Sequence, residues 1–205
     1  MTPAEEGMTM AGMFRGAMGA GLALAAAMSL VATGASAQTA PKWVVDHAQS
    51  QLLFDSQAEG AAFEGHFDDW DADIRFDPKA LGQSKVSVTV ATGSAVTGDS
   101  SRDQTAHGAD WFASVMFPKA TFTTRTIKDL GGGKYEADGD LAIKGVTQPL
   151  ALPFTLTIAG DTATMTGEAT VDRSRFGVGQ GDYGGADTVP LSVTVKVVLA
   201  AHLAK

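Results

Sequence analysis

The chain contains no cysteine. That excludes disulfide staples, thiolate metal sites and thiol chemistry. Basic residues are also few: 15 Lys and Arg stand against 23 Asp and Glu, a formal net charge of −8. With no basic cluster, this balance excludes nucleic acid as a partner and argues against an anionic membrane surface. The four imidazoles, His47, His66, His107 and His202, lie far apart and match no metal-ligand spacing, so no metal is expected. The one long apolar run, Ala17 to Val31, is short for a spanning helix and is diluted by Gly and Ser.

What is present begins with a leader. Arg15 precedes the apolar run, and Ala35-Ser36-Ala37 closes it as a small-x-small signature. That order predicts a signal peptide over residues 1–37, cleaved after Ala37, in preference to an uncleaved anchor. Met8, Met10 and Met13 are alternative starts, because Glu5 and Glu6 are unusual so early in a leader. Residues 38–42 read as a short flexible lead-in. Residues 43–203 read as one domain, long enough to enclose a core unaided. Without Arg15, Glu5 and Glu6, 14 basic and 21 acidic side chains remain, a surplus that serves solubility.

Helical periodicity is scarce in this domain, and alternation is common. Lys85 to Val90 alternates polar and apolar, as a half-buried strand does. Tyr135, Ala137, Gly139, Leu141 and Ile143 share one face; Leu150, Leu152, Phe154, Leu156 and Ile158 share another. After Lys119, Ala120, Phe122 and Thr124 fall on one side. The Thr-rich segment Thr162 to Asp172 and the stripe Leu191 to Leu199 add two more strands. Turn signals separate them at Asp77-Pro78, Gly131-Gly132-Gly133, Lys144-Gly145 and Gly160-Asp161. One stretch, Gly98 to Phe117, breaks the alternation, with Asp99 or Ser100 placed to cap a short helix. The pattern predicts an all-β fold, a barrel or sandwich of regular short strands. A barrel of about eight strands is either filled by its own side chains or leaves room for one ligand. Small inward residues (Ala120, Ala137, Gly139, Ala163, Gly167, Ala169) favour a hollow, and the large rings favour a filled core. The sequence leaves that choice open.

Five segments in order carry a family resemblance. Trp43-Val44-Val45-Asp46-His47 with Ser50-Gln51-Leu52-Leu53-Phe54 is similar to the opening strand pair of the YceI-like family. Gly65 to Trp70 and Ile74 to Pro78 resemble its second hairpin. Asp110-Trp111-Phe112 with Phe117 to Phe122 resembles its most distinctive block. Gly139 to Leu150 and Asp172 to Val178 are similar to its later motifs. The Gly-rich stretch Gly179 to Asp187 and a weakly represented lysine in the helical block depart from the family pattern. The resemblance implies an extended, antiparallel, lipocalin-like β-barrel of about eight strands with a short helix near its mouth. It implies a periplasmic binding or carrier protein, not an enzyme, whose interior takes a polyisoprenoid or other amphiphilic lipid such as a quinone tail or prenyl phosphate. A bound lipid would then be ligand rather than cofactor. A membrane-associated delivery partner and a homodimer are the candidate assemblies.

The candidate cavity lining is the inward aromatic and aliphatic set. It comprises Phe54, Phe63, Phe67 and Trp70, then Trp111, Phe112 and Phe122, and then Leu141, Ile143, Phe154, Leu156 and Phe176. Ordinary core packing is the competing reading for each. Head-group candidates are Arg173 and Arg175, whose guanidinium forks suit a phosphate or quinone oxygen, with Asp110 and His66. A salt bridge from Arg173 or Arg175 to Asp172 or Asp182 is the bland alternative. His66 points inward only if Phe67 points outward. Asp68-Asp69 reads as a charged turn. Gly177 to Gly181 joins no strand to a helix in a βαβ unit and is rejected as a dinucleotide fingerprint. Two rival functions stay open: an enzyme acting on a lipophilic substrate, and a ligand-free barrel serving as an interaction module.

Overall fold

The computed structural model describes residues 39–205; the expected leader, its cleavage site and the alternative starts lie outside them. In chain order the elements are β1 (Lys42–Val45), β2 (Gln51–Ala58), β3 (Ala61–Phe67), β4 (Trp70–Arg75), β5 (Lys85–Ala91), β6 (Ala95–Val96), α1 (Ser100–His107), β7 (Lys119–Gly131), β8 (Lys134–Ile143), β9 (Val146–Ala159), β10 (Thr162–Asp172) and β11 (Ser192–Leu203). All pairings are antiparallel. The pairs β1/β2, β3/β4 and β5/β6 are halves of single long strands, each broken once, so eight strands form the wall. β11 pairs with β10 and β2, and its end returns to β1 through Val45↔Ala201 and Trp43↔Leu203. That return closes the sheet into a barrel and removes its free edges.

Alternation decides which face turns inward. In β4, Trp70, Ala72 and Ile74 are buried while Asp71, Asp73 and Arg75 are exposed. Tyr135, Ala137 and Gly139 of β8 are buried in the same way. β10 has the bounds that its Thr-rich composition suggests. The turn Lys144-Gly145 has φ of 50° and 77°, the two positive values that a tight two-residue hairpin requires. Glu59-Gly60 repeats this geometry between β2 and β3, a turn the sequence reading did not single out. The helix forms where expected. Asp99 caps α1 by accepting from the Arg102 amide at 2.9 Å.

Three features differ from the sequence expectations. A bulge between Thr124 and Thr126 shifts the register of β7 against β8. Phe122 and Thr124 face inward before it and Ile127 after it, so the inward parity flips within one strand. The three strand breaks, at residues 46–50, 68–69 and 92–94, lie on adjacent strands. Side-chain hydroxyls stitch them: Ala200 N–H donates to Ser50 Oγ at 2.9 Å, and Asp69 N–H donates to Ser94 Oγ at 3.1 Å. Finally, the lead-in expected over residues 38–42 is tied to the barrel from Ala40 onward. Ala40 is buried, and the Pro41 carbonyl accepts from Phe76 N–H at 3.1 Å.

One end of the barrel is shut. Trp43 donates its indole N–H to the Phe76 carbonyl at 3.0 Å, a buried bond across the floor. Phe76 packs edge-on to Tyr135, which stacks on Phe154 at 5.4 Å between centroids. The other end carries α1, the β8–β9 turn and the long β10–β11 connection.

Candidate functional site

The barrel is hollow. Its upper part holds a cavity of about 780 Å³, and a smaller one of about 120 Å³ lies toward the floor. Leu52, Val88, Phe122, Leu152 and Val197 line both, forming a waist between them. The lower chamber's walls are almost wholly aliphatic and aromatic; the upper chamber is mainly apolar but also carries polar side chains, among them Ser56, Thr97, Arg102 and Arg173. In the lower chamber the one hydroxyl side chain, Thr124, is already engaged: it accepts from the Val86 amide at 2.9 Å and donates to the Val86 carbonyl at 3.2 Å.

Eight of the twelve candidate lining residues meet in the upper chamber: Phe54, Phe63, Phe67, Trp111, Phe112, Phe122, Leu141 and Ile143. A chain of rings runs through it, Phe63 to Phe54 at 6.4 Å, Phe54 to Phe67 at 5.3 Å and Phe67 to Phe112 at 6.0 Å. Trp70, Phe154 and Leu156 line the lower chamber instead. Phe176 lines neither. The 3-10 turn Arg173–Phe176 buries it in a small cluster with Val171 and Val178, which do line the upper chamber.

The volume arises partly from glycine. Phe54 lies directly across from Gly65, and Phe154 from Gly167. A Cβ at Gly139 would come within 2.7 Å of the Phe122 ring. The Phe54 and Phe122 rings therefore occupy space where a neighbouring side chain would stand, while at Gly167 it is the Phe154 Cβ that comes close. The small residues do two jobs: Ala120 and Ala169 leave lumen empty, whereas Gly139 and Gly167 are covered by side chains.

The head-group candidates are not brought together. His66 lies outside the barrel, beside Asp68 at 3.1 Å, because Phe67 is the residue that faces inward. Arg175 is exposed and donates to Gln148 Oε1 at 2.7 Å. Asp110 is exposed, and its backbone carbonyl accepts from Gly179 and Gln180 N–H, each at 2.8 Å. Of the four, Arg173 alone lines the lumen. Among the described residues it forms no salt bridge, and neither Asp172 nor Asp182 pairs with it. Its guanidinium is buried and makes six hydrogen bonds to the carbonyls of Val178, Gly179, Tyr183, Gly185, Val189 and Pro190, at 2.7–3.0 Å. Burial pulls its pKa below the usual arginine value, and the nearby Asp172 charge partly opposes that. Arg173 thus shapes the Gly-rich connection instead of presenting free donors.

Other bonds fix the rim. Lys144 Nζ donates to the Ala109 carbonyl at 2.7 Å and the Gly177 carbonyl at 2.9 Å, tying three connections together. Thr97 donates both its amide and its hydroxyl to Asp103 Oδ1, at 2.7 and 2.6 Å. The hydroxyl bond is the main cause that holds the Asp103 carboxyl below the ordinary aspartate range. Arg102 stacks over Phe63 at 4.3 Å and donates to Thr97 Oγ1 and to the Thr97 carbonyl. Sequence reasoning missed Ser56, Thr97, Ser101, Arg102 and Thr105, all of which line the upper chamber. Ser56 was legible: it lies two residues along β2 from Phe54, on the same face.

A closed eight-stranded antiparallel barrel, shut at one end around an apolar lumen, defines the lipocalin-like class of β-barrels. Within that class the chain belongs to the YceI-like family, whose domain matches residues 43–201. A UPF0312 protein of Vibrio parahaemolyticus is 32% identical over 144 residues, 69% of this chain and 73% of its own length. Protein YceI of Escherichia coli O157:H7 is 37% identical over 97 residues, 47% of this chain and half of that protein. The crystal structure of BcnA from Burkholderia cenocepacia matches with a TM-score of 0.73 at 33% identity, covering 76% of this chain and 98% of BcnA. A polyisoprenoid binding domain from Saccharophagus degradans shares the fold, with a TM-score of 0.65 at 15% identity over 80% of this chain and 99% of that one.

Proposed function

We propose that this chain is an exported, periplasmic carrier that holds one long apolar chain of isoprenoid type in its lumen, with a quinone or prenyl phosphate head toward the mouth, and that it acts by binding rather than catalysis. The apolar cavity of about 780 Å³ carries the reading. Ligand sites of roughly 300–1,000 Å³ bury most of a lipophilic molecule. Burial of about ten tail carbons contributes on the order of 8 kcal/mol. Ordering the tail and losing translational freedom offset part of that. Affinity of this kind needs no acid, base or metal. The Saccharophagus barrel, described as a polyisoprenoid binding domain, has the same architecture and so supports the choice of ligand class.

The test is native mass spectrometry after gentle purification, followed by extraction. A bound isoprenoid lipid or quinone is the expected adduct. A clean apo mass that takes up no quinone, prenyl alcohol or prenyl phosphate on mixing overturns the proposal.

A further inference from the structure

We propose that the rim of the barrel docks on a lipid bilayer by pushing the side chains of Val115 and Met116 into it, so that the mouth of the upper chamber lies against the membrane surface. This adds a docking surface to the carrier reading and rests on that reading only for what passes through the mouth.

The first observation is exposure. Val115 is 98% exposed and Met116 75%, the two highest values among the exposed large hydrophobics of the described residues. Single apolar side chains on a surface are ordinary. Here two stand side by side. The ring of the following Phe117 lies against Gly145 in the β8–β9 turn, and the next residue of that turn, Val146, is exposed as well.

The second observation is that the tip is held firmly and at a cost. Ala113 N–H donates to the Gly108 carbonyl at 2.8 Å, Ser114 N–H to the His107 carbonyl at 3.1 Å, and Met116 and Phe117 N–H to the Ala113 carbonyl at 2.8 and 2.9 Å. Thr92 fastens the far end, donating its amide to the Pro118 carbonyl at 3.0 Å and its hydroxyl to the Phe117 carbonyl at 2.7 Å. The pivot, Ala113, is buried and has φ of 49°, a left-handed conformation that strains any residue with a Cβ. A loose loop would relax it. Trp111 and Phe112, before the pivot, line the lumen; Val115 and Met116, after it, face outward. Lumen wall and tip are parts of one rigid turn.

The third observation is charge. Trp111 to Pro118 carries no charged side chain; Asp110 precedes the stretch and Lys119 follows it. Lys144 of the β8–β9 turn holds the Ala109 carbonyl at 2.7 Å. A stable protein interface takes roughly 20–30 residues a side, far more than two adjacent tips and one neighbour supply. A bilayer accepts single apolar side chains one at a time, and lysines beside them keep their ammonium groups at headgroup level. The acidic surplus of the chain opposes attraction to anionic lipid, so insertion is the driving force and zwitterionic lipid the partner. Docked in this way, a water-insoluble tail moves between bilayer and lumen without crossing water.

Because the chain has no cysteine, Val115→Cys places one polarity-sensitive dye at the tip, and Leu130→Cys places one at the opposite end of β7, where Leu130 is 58% exposed. On phosphatidylcholine vesicles the tip dye is expected to shift to the blue and the Leu130 dye to stay as in water. Co-flotation of the unlabelled protein with the vesicles reads affinity. Val115→Asp combined with Met116→Asp is expected to weaken it roughly tenfold or more, the loss of two inserted apolar side chains, whereas Leu130→Asp leaves it unchanged. Transfer of a fluorescent prenyl tail from vesicle to protein slows in the paired variant, while uptake of the same tail from detergent solution is unaltered. A tip dye that stays in water, or equal losses from the tip and Leu130 variants, overturns the docking surface and leaves the carrier reading standing. Vesicle docking through the tip with no tail uptake from any source overturns the carrier reading alone. If the paired variant does not fold, the two dyes decide.

Discussion

Gly65 sits directly opposite Phe54 on the neighbouring strand, and any Cβ at Gly65 would collide with the Phe54 ring. Their pairing lays the ring along the wall and helps keep the upper chamber open. Gly65→Ala is expected to push Phe54 into the lumen. The stability cost is about 1–3 kcal/mol from overpacking. The larger effect falls on capacity: lipid uptake measured by native mass spectrometry drops while the barrel's circular dichroism is retained. Unchanged uptake would show that the ring lies flat without help from glycine.

Arg173 gives a second prediction. Arg173→Lys retains the positive charge but offers three donors from one atom in place of a planar fork. Several of the six carbonyls are then stranded, and the domain is expected to lose about 3 kcal/mol, read from denaturant unfolding. Arg173→Met should cost at least as much. If Lys matched Arg, the geometry of the fork would not matter.

The Thr97–Asp103 bond predicts a pH signature. The folded Asp103 carboxyl is held below its ordinary value of 3.8, chiefly by the Thr97 hydroxyl. Its contribution is therefore complete above 3.8 and is lost as pH falls through the lower folded value. Asp103→Ala should lower stability by about 1–2 kcal/mol at neutral pH, and the gap to the parent protein should close in strong acid. A gap that closes already near pH 6 would contradict the sign.

The waist gives a fourth. Phe122 lines both chambers, so Phe122→Ala should join them into one longer lumen at a cost of about 3 kcal/mol. Copurified or loaded tails are expected to shift toward greater length, measured by mass after extraction. The same length distribution in both proteins would place the length limit elsewhere.

Much of the barrel was legible from alternation and turn chemistry. Lys144-Gly145, the Asp99 cap and the bounds of β10 follow from local rules, because each concerns residues adjacent in sequence. The bulge after Thr124 was not legible: an inserted residue shows only when the partner strand is known. Eleven of the twelve lining candidates face one chamber or the other, yet the division into two chambers was not legible, since depth along a barrel depends on strand stagger. His66 followed from Phe67 once the latter faced inward. Arg173 misled because its partners are backbone carbonyls, which leave no mark in the pattern of side chains.

The breaks at residues 46–50, 68–69 and 92–94 are confined to three neighbouring strands; the other five run through without interruption. Where main-chain rungs give way to the hydroxyls of Ser50 and Ser94, one flank becomes jointed while the opposite flank remains a stiff shell. That jointed flank is where the wall is expected to yield first, read as faster amide hydrogen exchange there than on the opposite flank. A guest too bulky for the resting bore would be accommodated there, by flexing the seam, with the rigid side keeping the shape to which it returns.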